Sequence, residues 1–219
     1  SLKNTQDCFM ARLSNDQKAL LDEMMQKKIC TAATEVILEY GLQKITMSKV
    51  AKAAGIAKGT IYNYFKDKKE LMQVIADSIF KPLEKRIREI AASTCDPLTR
   101  LRKIAEALLE TFSKHRKIFA LIHEANMIGM LERKSQPFEK RKMILEIIRE
   151  ICKDAIGKNI IRPENPETIA EVFLGMIMSV NVSKMTTNTQ RPVSADLETI
   201  MCIFTQGLQT NQNEEITNE

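Results

Sequence analysis

Apolar side chains in this chain recur at three- and four-residue intervals over long stretches. The residues able to break such stretches, seven glycines and six prolines in 219 positions, are few and cluster between them. Three- and four-residue spacing puts apolar groups on one face of a helix, whereas half-buried strands need strict alternation, which is short and rare here. The pattern predicts an all-α fold. Hydrophobic residues make up 44 % of the chain, enough for a sizeable core. The length suits one medium domain or a small module joined to a larger one.

Charge is distributed unevenly. Residues 41–70 read GLQKITMSKVAKAAGIAKGTIYNYFKDKKE, where seven lysines against Asp67 and Glu70 leave +5. The full chain, with 33 basic and 28 acidic residues, is also +5, so the remainder is neutral. A compact basic unit on a neutral body suits a polyanion, and DNA before any small substrate.

Capping residues divide the chain into helices. Ser14 with Gln17 forms a capping box, and the periodicity from there to Tyr40 places Ile29, Ala32, Ala33, Val36, Ile37 and Tyr40 on one face. Whether 14–27 is continuous with that helix is open. Gly41 supplies its stop. Ser48 is expected to cap a short helix, Lys49 to Ala54, followed by a tight turn at Gly55 with φ > 0 and a buried Ile56. A second short helix follows from Lys58 to Phe65, with Ile61 and Phe65 inward. Asp67 with Glu70 opens a long helix to about Ala92, kinked at Pro82. Beyond it, Asp96-Pro97 opens a helix to about Ser113, and another runs from Arg116 to about Leu131. Ser135 to Pro137 start one ending near Gly157, Asn165-Pro166-Glu167 start one to about Met185, and Ser194 caps the last, which Gly207 ends. The expected organisation is a partly helical N-terminal extension (1–27), a domain built on the two short helices (28–74), a larger helical domain (75–210), to which a resemblance to a known family assigns effector binding and dimerisation, and a disordered tail (211–219).

Two short helices joined at a glycine turn form a helix-turn-helix, in which the first helix braces a second that lies in the major groove. Here the second begins Lys58-Gly59-Thr60. Gly59 lets backbone approach DNA closely, and Thr60 can donate to a phosphate or touch a thymine methyl. Tyr62, Asn63 and Tyr64 gather polar tips on the outer side, while Lys44, Lys49, Lys52 and Lys68 flank the groove and neutralise phosphates. A charged, solvated face is the plainer alternative for such a segment. The run from Thr46 to Leu71, TMSKVAKAAGIAKGTIYNYFKDKKEL, closely resembles the DNA-binding signature of the TetR/AcrR family of bacterial repressors, over roughly Ile29 to Val74. The resemblance implies a homodimer on a near-palindromic operator, released when a small molecule binds the C-terminal domain. It also implies DNA contacts from Thr46, Ser48, Lys58, Thr60, Tyr62, Tyr64 and Lys68, with Asn63 at a variable position that tunes sequence preference. One departure stands out: Ala57 occupies a position commonly Ser in the family, so the cap of the second helix is missing, a loss of about 1 kcal/mol.

The last two helices are candidates for the dimer interface, which family members build as a four-helix bundle. Ile169, Phe173, Ile177 and Val180 on the first, and Leu197, Ile200, Phe204 and Leu208 on the second, leave apolar residues on more than one side. Core packing within the protomer is the alternative for at least half of them. An effector pocket is expected among the middle helices, with Phe112, Phe119, Ile122, His123, Met127, Met130, Phe138 and Met176 as candidate lining. Twelve methionines weakly favour an apolar or amphipathic ligand.

Catalytic signatures are missing: no Gly-rich phosphate loop, nucleophile elbow or HExxH is present. The five cysteines are scattered, with no Cys/His pair at zinc-ligand spacing, which fits free thiols in a reducing cytoplasm. The sequence contains no apolar leader and no apolar run of about 18 residues, so no membrane association is expected. No cofactor is expected. The reading that follows is a ligand-responsive DNA-binding regulator, a repressor before an activator, against a constitutive DNA-binding protein without an effector. About 140 residues beyond the DNA-binding segment exceed what pairing alone requires, which favours a sensing role.

Overall fold

The structure of the protein, a computed structural model, describes residues 14–127, 136–187 and 191–208, with side chains described except at 122–127 and 136–139. The described residues form nine helices and no strand: α1 (Asn15–Tyr40), α2 (Met47–Ala53), α3 (Lys58–Ile61), α4 (Lys68–Ala91), α5 (Pro97–Lys114), α6 (Arg116–Met127), α7 (Gln136–Gly157), α8 (Pro166–Thr187) and α9 (Val193–Leu208). The all-α expectation holds. The chain divides into two compact units, Ser1–Asp77 and Ser78–Glu219.

In the first unit, α1 is a single helix through 14–27, where no glycine or proline interrupts it. Its start is the capping box read from the sequence: Ser14 Oγ accepts from the Gln17 N–H (3.2 Å) and Gln17 Oε1 from the Ser14 N–H (2.9 Å). It stops at Gly41, whose φ of +82° a side-chain-bearing residue rarely adopts and whose N–H reaches the Ile37 carbonyl at 2.8 Å. Ile29, Ala32, Ala33, Val36 and Ile37 are buried as their spacing predicted, while Tyr40 is exposed. Leu20 and Met24 on the preceding turns are 58 % and 59 % exposed.

The next two helices differ from expectation. Thr46, not Ser48, caps α2: in extended backbone, its hydroxyl accepts from the Lys49 N–H at 3.2 Å. Both residue types can cap, and burial decides the register, because a start at Met47 puts Met47, Val50 and Ala51 all inward. Ala54 closes the helix, and Gly55 (φ +64°) makes the turn. Ile56 is half-buried rather than fully so. Helix α3 is a single turn ending at Ile61, not a helix to Phe65. Asn63 and Tyr64 donate to the carbonyls of Thr60 and Ile61 (both 3.1 Å), the tighter three-residue pattern, which lets Phe65 return to the core at 1 % exposure. At the start of α4, Asp67 Oδ1 accepts from the Glu70 N–H (2.8 Å), and Glu70 Oε2 accepts from the Lys66 N–H (2.6 Å). Pro82 lies within α4 as expected.

The second unit contains α5 to α9 with the remainder of α4. Asp96 Oδ1 accepts from the Thr99 N–H (3.0 Å) with Pro97 in the first turn of α5. Asn165 Oδ1 accepts from the N–H groups of Glu167 (2.9 Å) and Thr168 (3.2 Å) to open α8. Helix α8 is apolar around most of its circumference and, by length and composition alone, is long enough to cross a membrane. Here it packs on α5, α6, α7 and α9. Helix α9 starts at Val193, one residue ahead of the expected Ser194 cap, and includes Gly207 in its last turn. Its first turn is fixed by charge: buried Asp196 accepts from Arg191 Nε (2.9 Å) and pairs with the buried Lys184 ammonium of α8, which also donates to the Arg191 carbonyl (2.9 Å). The expected extension of α6 to Leu131, the residues before Ser14 and the tail after Leu208 lie outside the described residues.

Candidate nucleic-acid interface

The α2–turn–α3 segment has one apolar and one polar side. Val50, Ala51, Ala54, Ile61 and Phe65 are buried, none more than 4 % exposed. Thr46, Ser48, Lys49, Lys58, Gly59, Tyr62 and Asn63 are exposed, and Thr60, Tyr64 and Lys68 are half-buried. The buried residues therefore fix which residues face solvent, and Tyr62 is left 47 % exposed. Ala57 offers α3 no side-chain cap, as its methyl predicts. A β-carbon added at Gly59 would meet nothing within 4 Å, so nothing inside the protomer demands glycine there.

Three candidate contacts are already engaged. The Lys49 ammonium donates to the Lys44 carbonyl (3.0 Å) and lies 4.6 Å over the Tyr40 ring. Lys68 donates to the Leu42 carbonyl (3.0 Å), tying the start of α4 to the loop after α1, and burial pushes its pKa down. The Tyr64 hydroxyl donates to Asp22 Oδ1 in α1 (3.2 Å), and burial followed by that carboxylate raises the phenol pKa. Sequence reasoning did not find Asp22. Its partner lies 42 residues away, and no helical spacing signals such a contact.

The candidate effector residues separate. Phe119 is buried between Phe112 (ring centroids 4.1 Å) and Phe80 (5.7 Å, edge to face), so α4, α5 and α6 share an aromatic cluster, to which Phe80 was not assigned from sequence. Met176 lines an open apolar groove of about 390 Å³ on the outside of α8 and α9, with Val172, Ile203, Phe204, Gly207 and Leu208. The side chains of Ile122, His123, Met127 and Phe138, and all of Met130, lie outside the described residues.

The interface candidates need correction. Ile169, Phe173, Ile177, Leu197, Ile200 and Phe204 are all buried in their own protomer, and Val180 and Leu208 are half-buried. Helices α8 and α9 pack on each other, the Phe173 and Phe204 rings 4.5 Å apart, so most of the apolar stripe is taken up internally. Val172 (54 %) and Ile203 (58 %) instead face outward, beside exposed Gly175 and Gly207, where an added β-carbon would again meet nothing. Among the described residues no group of three or more His, Cys, Asp or Glu could hold a metal. Buried Cys152 has its thiol pushed up to about 12 by desolvation, which makes it a poor nucleophile.

Comparison with known proteins agrees with this geometry. Residues 29–75 match the family described as "Bacterial regulatory proteins, tetR family". The HTH-type transcriptional regulator YhgD of Bacillus subtilis is 28 % identical over 155 residues, covering 71 % of this chain and 81 % of that protein. The fatty acid metabolism regulator protein of the same organism is 33 % identical over 122 residues, 56 % of this chain and 59 % of that protein. Among solved structures, AibR in complex with isovaleryl coenzyme A and operator DNA superposes with a TM-score of 0.66 at 18 % identity, covering 82 % of this chain and 97 % of that one. The matched segment contains the inward-facing Ile61 and Phe65 and the outward-facing Lys58, Gly59, Tyr62 and Asn63, and residues 29–75 belong to the tetR family of bacterial regulatory proteins.

Proposed function

We propose that this chain is a homodimeric transcriptional repressor that leaves its operator when a fatty-acyl effector binds the second unit. The carrying observation is the two-sidedness of α3: Ile61 is fully buried while Lys58, Gly59, Tyr62 and Asn63 project outward. One turn of helix presented in this way suits insertion into a major groove, with Asn63 at base edges and Thr46, Ser48, Lys49, Lys58, Thr60, Tyr62, Tyr64 and Lys68 on or near the backbone. Two copies related by a twofold would present two such turns to half-sites about one helical turn apart.

The effector class draws on two relatives, one named a fatty acid metabolism regulator and one solved with isovaleryl coenzyme A. The Phe80–Phe112–Phe119 cluster suits an acyl chain nearby. Helix α4 contributes residues to both units, and a shift along it is the proposed route from effector to DNA. Fluorescence anisotropy on DNA from upstream of the chain's own gene, with acyl-coenzyme A thioesters of graded length, tests this. Binding in their absence and release in their presence is the expected outcome. Binding that no acyl compound disturbs would favour a constitutive DNA-binding protein.

A further inference from the structure

The first half of α1, Asn15 to Lys28, precedes the segment that matches the family, which begins at Ile29. Asp22 lies seven residues before Ile29, about 10 Å along the helix axis. It lies against the Tyr64 hydroxyl, which donates to its carboxylate at 3.2 Å. Among the described residues no Lys or Arg forms an ion pair with Asp22, so the phenol is its partner. A tyrosine hydroxyl has one proton to donate. While that proton is held by Asp22 it cannot be given to a DNA phosphate, and a carboxylate at that distance repels any phosphate approaching the same oxygen.

We propose that Asp22 is an internal stand-in for a DNA phosphate, occupying the Tyr64 donor in the free protein and thereby weakening the grip of the reading surface on the DNA backbone. The inference rests on the DNA-binding reading above. Docking on DNA requires the Tyr64 proton to exchange from carboxylate to phosphate, with Asp22 returned to water. Because a phosphate is offered by every sequence, the effect falls on affinity in general and not on base preference.

The test uses the full-length protein on operator and on unrelated duplex DNA at several salt concentrations. Asp22→Ala and Asp22→Leu, neither of which leaves an acceptor for the Tyr64 hydroxyl, change an exposed side chain, so melting curves should stay close to wild type. Each should bind both DNAs roughly three- to tenfold more tightly, the range of one net hydrogen bond, with the gain shrinking as salt rises. Adding Tyr64→Phe to Asp22→Ala should remove that gain. Equal or weaker binding by the Asp22 variants would overturn the proposal, and so would a gain that persists in full without the Tyr64 hydroxyl. If the wild-type protein bound no DNA, the DNA-binding reading itself would fail, a result distinct from either of these.

Discussion

Two neighbouring residues of the reading turn separate stability from recognition. Ala57 holds extended backbone ahead of α3 (φ −66°, ψ 147°) and supplies no acceptor, so Ala57→Ser should add about 0.5–1 kcal/mol by capping the turn. A thermal melt would register it as a rise of a few degrees. Gly59 is exposed, with open space where its β-carbon would be. Gly59→Ala should therefore leave the melting temperature unchanged or raise it, since alanine is the better helix former. If DNA backbone packs there, the same change should weaken operator binding by at least about 1 kcal/mol, roughly fivefold. Unchanged affinity would remove Gly59 from the contact surface. These positions were legible in the sequence because they depend on local chemistry. The bonds of Tyr64 to Asp22 and of Lys68 to Leu42 were not, because each joins residues far apart in the chain and neither partner has a distinctive local pattern.

At the scale of helices, caps and periodicity located nearly every element, and the errors arose where two rules competed. Thr46 and Ser48 both cap well, and only the burial of Met47 selects the first. Helix α3 ends at Ile61, yet Phe65 is buried, and the spacing Ile61–Phe65 fits either a single turn or a longer helix, so periodicity alone could not place its end. In the second unit, carboxylates tie helices together. Lys140 and then Arg88 hold Glu84 below its ordinary 4.5, while Lys158 and then Arg100 hold Asp154 below its ordinary 3.8. Capping bonds to Thr99 lower Asp96 in the same way. A carboxylate whose folded pKa is depressed contributes stability above its unfolded value and loses it as pH falls through the folded value. Melting temperature should therefore hold from neutrality to about pH 5 and decline progressively below the ordinary carboxylate range. Replacing Glu84 with Gln should flatten part of that decline in melts followed by circular dichroism. Pro82 is exposed inside α4, where it removes one intrahelical bond. If α4 transmits the effector signal, Pro82→Ala should shift the effector concentration for half-release and leave effector-free operator affinity within about twofold; a shift large enough to detect is taken as at least threefold. Equal changes in both would argue against that route.

For the whole molecule the decisive question is whether the protomer pairs through α8 and α9. The sequence singled out these two helices, and within each an apolar stripe looks the same whether it faces its own core or a second copy. The structure sorts the apolar residues by exposure. Phe204 and Phe173 are interior, whereas Val172 and Ile203 project outward beside two glycines that the protomer itself does not require. An exposed glycine inside a helix costs about 1 kcal/mol relative to alanine, so Gly175 makes physical sense where another helix must approach closely. Ile203→Glu should then leave the helical signal and the protomer fold intact, because the new charge stays in water, while light scattering should show a monomer. Operator affinity should fall with it, because two linked half-site contacts become separate binding events; the loss is on the order of a hundredfold. Phe204→Ala should act differently. Truncating a ring that is 4 % exposed destabilises the protomer by about 3–5 kcal/mol and lowers its melting temperature whatever its assembly state. If Ile203→Glu remained dimeric with unchanged operator affinity, the outward face of α8 and α9 would not be the contact, and the twofold spacing of reading turns would need another origin.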